Sequence, residues 1–165
     1  MLADHSVAAE NVCVATVTYG RRWALLQQVL RRVLAQGVGN VVVIDNGSEE
    51  KIAELADGSF GARVRVVTLR KNWGSAGGFY RALECALQTR AEFIWLLDDD
   101  SLPAQNALAS LLTAYEYLGG TDNNALLSFR PQWSTFRQLA NDGYDKTAME
   151  NKFQGMHFRC FPDLF

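Results

Sequence analysis

A chain of 165 residues fits a single domain and is long enough to bury a hydrophobic core. Apolar residues make up 48% of the chain and charged residues 21%, which is typical of a globular protein and excludes a disordered one. The formal net charge of -2 and the lack of a basic stripe argue against nucleic acid as a partner.

The N-terminal segment, residues 1–11, is polar and lacks the basic start and apolar stretch of a signal peptide. No apolar stretch reaches the length of a transmembrane helix. Cys13 and Cys85 lie in apolar patterns, which predicts packed and reduced thiols, and Cys160 completes an odd number without metal-ligand spacing. We therefore expect a cytoplasmic protein, at most peripheral to the inner face of a membrane.

Regular structure is predicted to begin with a near-continuous apolar run at 12–18, which indicates a strand buried on both faces. A helix is predicted at about 21–35, where apolar residues recur at helical spacing. A second strand is predicted at 41–44. Ser48 is predicted to cap a short helix that runs through Leu55.

The same alternation continues along the chain. A third strand is predicted at 64–69, and a glycine-rich loop at 72–78 opens a helix that runs to about Thr89. A fourth strand is predicted at 93–97 and ends directly in three adjacent carboxylates at 98–100.

After the fourth strand, Pro103 suits the first turn of a helix that reaches about Leu118, and 125–129 is predicted as a fifth strand. Strands that alternate with helices indicate an α/β fold of Rossmann-like type, with a mostly parallel sheet and helices on both faces. We assign this core to residues 12–130. Residues 131–165 carry scattered aromatic side chains without clear periodicity and are predicted to be irregular.

Unusual polar residues follow the predicted strands at their carboxyl ends, where sheets of this type bind ligands. They are Thr18, Tyr19, Asp45, Asn72 and the acidic triplet at 98–100. Their coincidence with the strand ends predicts a ligand site at this edge of the sheet.

The acidic triplet predicts a cation site. Three adjacent carboxylates in a partly desolvated cleft repel one another, and a divalent cation removes that penalty. Because side chains alternate along an extended chain, Asp98 and Asp100 are expected to point one way and Asp99 the other. The simplest assignment has Asp100 on Mg²⁺ or Mn²⁺, with Asp98 sharing the metal or binding the sugar or ribose. The alternative is a solvated acidic turn that caps the next helix.

Asp45 ends its strand in the run Val-Ile-Asp-Asn-Gly-Ser. A carboxylate at this place can accept hydrogen bonds from a base N–H or a ribose hydroxyl. The same residues favour an Asx-type turn, and the two interpretations are compatible.

The segment 72–78 could let a ligand approach the backbone closely and present helix N-terminal N–H groups to a phosphate. It is neither a Walker A loop nor a Gly-x-Gly-x-x-Gly motif, so its glycines could equally serve only tight strand-to-helix packing. Trp73 and Trp95 are interpreted as packing residues.

Four blocks of sequence together resemble family 2 glycosyltransferases, and most of all the rhamnosyl- and galactofuranosyltransferase-like branch. The blocks are Thr-Val-Thr-Tyr-Gly-Arg at 16–21, Val-Ile-Asp-Asn-Gly-Ser at 43–48, Asn-Trp-Gly-Ser-Ala-Gly-Gly at 72–78 and Trp-Leu-Leu-Asp-Asp-Asp at 95–100. They stand in the family's order, and the resemblance covers about residues 12–130.

The resemblance implies a GT-A fold, a UDP- or dTDP-sugar donor, and a glycan or lipid-linked glycan as acceptor. It places Thr18 and Tyr19 beside the base and lets Asp45 bind uracil or another base. It also implies that Asn72 and the glycine-rich segment, with Gly77, line the nucleotide pocket.

The triplet would then be the Asp-x-Asp element of the family. Asp98 and Asp100 would hold Mg²⁺ or Mn²⁺ on the diphosphate, and Asp98 and Asp99 are counted among the residues that bind the donor. The family's reaction is a single displacement that inverts the anomeric centre, with the metal neutralising charge on the leaving group and a general base activating the acceptor hydroxyl.

One feature departs from the family. Its members usually supply the base from an acidic motif roughly a hundred residues beyond the triplet, whereas 65 residues follow Asp100 here. We therefore assign no catalytic base, and we expect the chain to be an N-terminal fragment that ends at the start of the acceptor-side region.

Two other functions stay open at this point. A sugar nucleotidyltransferase would also use carboxylates and a metal, although the segment after the first strand is short for its usual glycine-rich loop. A non-catalytic or split nucleotide-sugar-binding module would bind the donor without hydrolysing or transferring it.

Overall fold

The computed structural model describes residues 8–117 and residue 126. The chain divides into two compact units, Met1–Ala109 and Ser110–Phe165. The first unit contains the whole described sheet. The strand predicted at 125–129 and the irregular region predicted at 131–165 lie outside the described residues, apart from Leu126, which belongs to no helix or strand.

Four parallel strands form the sheet, in the order β3-β2-β1-β4. They are β1 (Val12–Gly20), β2 (Asn40–Ser48), β3 (Val64–Thr68) and β4 (Phe93–Asp98). The two central strands are buried almost throughout, as their β-branched and apolar runs predict. The predicted α/β architecture is confirmed.

The helices are α1 (Trp23–Leu34), α2 (Ile52–Phe60), α3 (Gly74–Leu87) and α4 (Ala107–Tyr117). Single 3₁₀ turns precede β1 and β3, at Ala9–Asn11 and Gly61–Arg63. The strand order moves outward from β1 to β3 and then returns to β4 on the other side of β1. Right-handed crossovers therefore put α1 and α2 on one face of the sheet and α3 on the other.

Both faces of β1 are packed. Towards α3, a core cluster joins alternate residues of β1 and β2 to one side of the helix. Its buried members are Cys13, Ala15, Val17, Val42, Ile44, Ala82, Cys85 and Ala86. On the opposite face, α1 buries a helical stripe of four aliphatic residues, Leu26, Val29, Leu30 and Val33.

Cys13 and Cys85 are buried free thiols, as the sequence predicts. Burial raises the pKa of the Cys13 thiol, which disfavours the reactive thiolate. Among the residues that the structure describes, no helix combines the length and the apolar character needed to cross a bilayer.

Two predicted helix starts are wrong. Ser48 does not cap a helix, because β2 continues to this residue and pairs it with Gly20. The following helix, α2, begins at Ile52 and ends at Phe60. Pro103 likewise precedes α4, whose second residue, Leu108, donates its N–H to Gln36 Oε1 at 2.8 Å.

Candidate functional site

The carboxyl ends of the strands bring the predicted polar residues to one edge of the sheet. Thr18 of β1 is level with Asp45 of β2, and Val17 is level with Asp98 of β4. The strand order reverses between β1 and β4, and ligands of open α/β sheets bind at such a switch point. The site is therefore centred on the ends of these two strands.

The acidic turn, defined here as residues 98–100, is anchored through its middle carboxylate. Asp99 is only 3% exposed. Its Oδ2 accepts a hydrogen bond of 2.7 Å from Thr18 Oγ1, and Arg22 donates from Nε to Oδ2 at 2.9 Å and from Nη2 to Oδ1 at 2.7 Å. A buried carboxylate is stable when it is paired and hydrogen-bonded in this way. Its placement favours an anchoring role for Asp99 over direct contact with a ligand.

Arg22 connects three parts of the site. It lies just before α1, and besides Asp99 its Nη2 donates to Asp100 Oδ2 at 2.8 Å. Its guanidinium carbon lies 5.1 Å from the centre of the Tyr19 ring, within range of a cation–π interaction. The hydrogen bonds with Asp99, followed by those with Asp100, raise the pKa of Arg22 above its ordinary value, so the side chain stays charged.

Asp98 and Asp100 are exposed, on either side of the buried Asp99 in the sequence. The predicted alternation of the triplet is wrong for Asp99 and Asp100, because β4 ends at Asp98 and the next two residues form a turn. In this turn Nη2 of Arg22 donates to carboxylate oxygens of both Asp99 and Asp100. Within residues 8–117 and 126, no group of three or more His, Cys, Asp or Glu side chains could hold a metal ion by itself.

Asp45 lies within β2, at an irregularity of its pairing with β1, and its carboxylate bonds to the backbone three residues on. Its side chain is almost fully buried, and Oδ1 accepts a hydrogen bond of 2.8 Å from the backbone N–H of Ser48. Gly47 adopts a positive φ of 83° within this irregularity. The local hydrogen bond holds the carboxylate near the end of β2, beside Thr18 of β1.

The segment that starts α3 is held by what we call the asparagine clamp, formed by Asn46 with Asn72, Trp73 and Gly74. Asn46 is 2% exposed. Its Oδ1 accepts from the Trp73 N–H at 2.9 Å, and its Nδ2 donates to Asn72 Oδ1 at 3.2 Å and to the Gly74 carbonyl at 2.9 Å. The clamp ties the end of β2 to the first residues of α3.

The glycine-rich segment is helical from Gly74 onward, not a loop. Gly78 has a packing role, because a Cβ there would lie 2.6 Å from Val17 Cγ1 and 3.2 Å from Asn46 Nδ2. Gly77 lies in the first turn of α3, where a Cβ would meet the Trp73 side chain. The prediction that Trp73 packs is wrong, since this residue is 55% exposed, whereas Trp95 is partly buried in β4.

Sequence reasoning missed the two residues that organise the site, Arg22 and Asn46. Arg22 follows the block at 16–21 and was indistinguishable there from its neighbour Arg21, which pairs with Glu49 instead. Asn46 lies inside the block at 43–48, where the sequence indicates only a turn-forming residue. Nothing local predicts its contacts with the segment after β3.

The sequence model of glycosyl transferase family 2 matches residues 13–162. This chain belongs to glycosyl transferase family 2. The matched range contains every predicted site residue, and with the observed sheet it confirms the family and the GT-A type of fold expected from the four blocks.

Individual relatives agree with the family. The chain is 36% identical over 105 residues to the galactofuranosyltransferase GlfT1 of Mycolicibacterium smegmatis, an alignment that covers 62% of this chain and 34% of that protein. The crystal structure of S. aureus TarS 1-349 superposes with a TM-score of 0.53 at 19% identity, covering 72% of this chain and 38% of that one, which supports the fold. The chain thus spans about a third of the length of these relatives.

Proposed function

We propose that this chain forms the donor site of an inverting glycosyltransferase, which moves a sugar from a nucleoside-diphosphate sugar to an acceptor hydroxyl. The observation that carries the proposal is the junction at the strand switch, where Thr18 and Arg22 hold the acidic turn beside Tyr19. Membership of family 2 supports the reaction class. The name of the M. smegmatis relative makes galactofuranose a candidate for the transferred sugar.

On the nucleotide side, the donor would lie along the ends of β1 and β2. Tyr19 is about half exposed and offers an aromatic surface, and Asp45 offers a carboxylate held by the backbone N–H of Ser48. The first turn of α3, from Gly74 to Gly77, carries short side chains and follows directly after Asn72 and Trp73. Its backbone N–H groups suit a phosphate. UDP and dTDP are the two candidate nucleotides.

Asp98 and Asp100 fit a divalent cation by the chemistry of their donors. Both are exposed carboxylates on one short turn, and Mg²⁺ is commonly held by one or two carboxylates together with substrate phosphates. Mn²⁺ accepts the same hard oxygen ligands. When bound, the cation would neutralise charge that develops on the diphosphate leaving group.

In the proposed reaction, the acceptor oxygen bonds to the anomeric carbon from the face opposite the diphosphate. The bond from that carbon to the diphosphate oxygen breaks, and the diphosphate leaves with the bonding electrons. The hydroxyl proton goes to a general base, a role that we assign to no described residue. The acceptor would be a glycan or a lipid-linked glycan, and a lipid-linked acceptor would bring the protein to a membrane surface, the inner face if it is cytoplasmic.

Calorimetric titration with UDP and with dTDP, each with and without Mn²⁺, tests the donor site. We expect one nucleotide to bind with an affinity that Mn²⁺ increases. Asp100→Asn should weaken the Mn²⁺-dependent binding by about tenfold or more, since loss even of an outer hydrogen bond to a metal ligand costs about that much. Asp57→Asn, which changes an exposed carboxylate on α2, is the matched control and should bind as the unchanged chain does.

Three outcomes separate the candidate functions. Absence of nucleotide binding by the folded, unchanged chain in the presence of Mn²⁺ would overturn the donor site. Binding with no transfer or hydrolysis of a UDP- or dTDP-sugar would identify a binding module instead of an enzyme. Formation of a nucleotide sugar from a sugar phosphate and a nucleoside triphosphate would identify a nucleotidyltransferase.

A further inference from the structure

Arg22 is the one described side chain with hydrogen bonds to two carboxylates of the acidic turn. It comes from the segment between β1 and α1, whereas the turn follows β4. Arg22 and Asp99 are 77 positions apart in the chain. Beyond the last pair of the β1–β4 ladder, Val17 with Asp98, this guanidinium and the Thr18 hydroxyl hold the turn against the segment that contains β1.

The geometry of the contact is restrictive. Nε and Nη2 of Arg22 form a fork on the two oxygens of Asp99, and Nη2 also reaches Asp100 Oδ2. A guanidinium offers this planar fork, whereas an ammonium group offers a point charge without it. Arg22 therefore restricts the orientation of Asp99 as well as the place of the carboxylate of Asp100.

The same guanidinium lies against the Tyr19 ring, at 5.1 Å from its centre. Arg22 thus contacts a side chain proposed to lie beside the nucleotide base and a side chain proposed to hold the cation. A displacement of the guanidinium would move both parts of the donor site together.

Arg22 also provides the positive charge nearest to the middle of the triplet. Three consecutive carboxylates repel one another, and the buried Asp99 would be an uncompensated charge without its partner. With Arg22 in place, the charge of Asp99 is compensated within the protein, and the same guanidinium also pairs with Asp100.

We propose that Arg22 is a positioning residue of the donor site, which fixes the acidic turn and the Tyr19 ring in the arrangement that binds a cation and a diphosphate together. The inference rests on the proposed function, because it concerns the same site. Arg22 need not touch the donor for this role, since it acts through Asp99, Asp100 and Tyr19.

The test compares Arg22→Gln and Arg22→Lys with Arg31→Gln, a matched control that removes an exposed arginine from the same helical region. UDP and dTDP are titrated calorimetrically with and without Mn²⁺. Binding of Mn²⁺ to each nucleotide-loaded protein is followed separately by electron paramagnetic resonance, and thermal unfolding of each variant is recorded.

Arg22→Gln should weaken Mn²⁺-dependent nucleotide binding by about 10-fold to 100-fold, the range seen when residues that orient metal ligands are replaced. Mn²⁺ should then increase the nucleotide affinity of this variant less than that of the unchanged chain. The electron paramagnetic resonance titration should show weaker binding of Mn²⁺ to the nucleotide-loaded variant. Arg22→Lys keeps the charge without the fork and should show a smaller loss in the same direction. Arg31→Gln should match the unchanged chain.

A role in folding alone would lower the melting temperature but leave the gain given by Mn²⁺ unchanged, and that result would overturn the inference. If Arg22→Gln does not fold, Arg22→Lys decides: binding equal to that of the unchanged chain would overturn the inference, and a reduced gain would support it. Failure of the unchanged chain to bind either nucleotide would instead overturn the proposed function, and the inference with it.

Discussion

Two buried side chains each anchor a segment of backbone, but with different chemistry. Asp99 anchors the acidic turn after β4, and Asn46 anchors the start of α3. Asp99 is charged, and it is balanced by Arg22 and a hydroxyl. Asn46 is neutral, and it uses both its acceptor and its donors within the asparagine clamp. Asn46 lies in β2 and Asp99 follows β4, the two strands on either side of β1, so both anchors lie at the carboxyl ends of the strands.

Each anchor has the residue type that its backbone and charge surroundings require. Backbone groups at the start of α3 include both an N–H and a carbonyl, so a side-chain amide satisfies both at once. The acidic turn keeps three carboxylates close together, so the anchor there needs a positively charged partner, which is the guanidinium of Arg22. Exchanging amide and carboxylate at the two anchors should therefore destabilise both.

Asn46→Asp should have the largest effect of the exchanges. The new carboxylate would be buried beside the Gly74 carbonyl and would have no donor to offer to it. Removal of one partner of a buried charge costs about 3–5 kcal/mol, and a similar loss in the free energy of unfolding is expected here. Urea denaturation measures it, with Asn40→Asp at the exposed start of β2 as the control.

The deficit of Asn46→Asp should shrink between about pH 7 and pH 4, because protonation removes the charge and restores a donor. The sign follows from linkage: a folded state that favours the protonated carboxyl gains stability relative to the unfolded state as the pH falls. A deficit that is constant over this range would contradict a cost due to charge and point to altered shape alone.

Asp99→Asn should cost less, about 1.5–3 kcal/mol, the usual value for a hydrogen bond to a charged group. The amide keeps one acceptor for Arg22 or Thr18, and the guanidinium retains Asp100 as a partner. Urea denaturation gives the change, and Asp57→Asn is the control on an exposed helix surface. If Asp99→Asn lowered the free energy of unfolding as much as Asn46→Asp does, the change of charge would be equally important at both anchors.

The fold could be predicted well from the sequence because its strands are long apolar runs between helical patterns. The boundaries that failed depend on contacts distant in sequence. Ser48 continues a strand because Gly20 lies opposite it, and the start of α4 is set by a glutamine on the connection after α1. No local preference at Ser48 or Pro103 reports such partners.

The candidate site divides in the same way. Its residue types at the strand ends could be predicted, because parallel strands carry their carboxyl ends to one edge. The anchors could not, since the role of Arg22 depends on a carboxylate 77 positions away. The sequence allows Gly78 either a ligand-binding or a packing role, and the close approach of Val17 indicates packing at this glycine.

Gly78→Ala tests that packing with an effect smaller than that of the anchors. The added methyl would lie 2.6 Å from Val17 Cγ1, and overpacking of this kind costs about 1–3 kcal/mol, of which the better helix propensity of alanine returns a part. Gly58→Ala on α2 is the matched control, because its Cβ would meet nothing within 4 Å, and it should stabilise by up to about 1 kcal/mol. Thermal unfolding of both variants measures the difference, and equal stabilisation of the two would contradict the packing role.

The smallest predicted changes in stability concern two threonines on the same face of β1, Thr16 and Thr18, and the two changes have opposite signs. Thr18 Oγ1 donates to Asp99, whereas Thr16 is fully buried and its Oγ1 has no hydrogen-bond partner among the described residues. Thr16→Val keeps the shape and removes an unsatisfied hydroxyl, so we expect it to stabilise by about 1 kcal/mol with nucleotide binding unchanged. Thr18→Val should destabilise by about the same amount, because it removes one bond that anchors the acidic turn. Urea denaturation of the pair decides the matter: destabilisation by both variants would mean that the Thr16 hydroxyl is satisfied in solution, and that β1 contributes two polar contacts, not one, beneath the site.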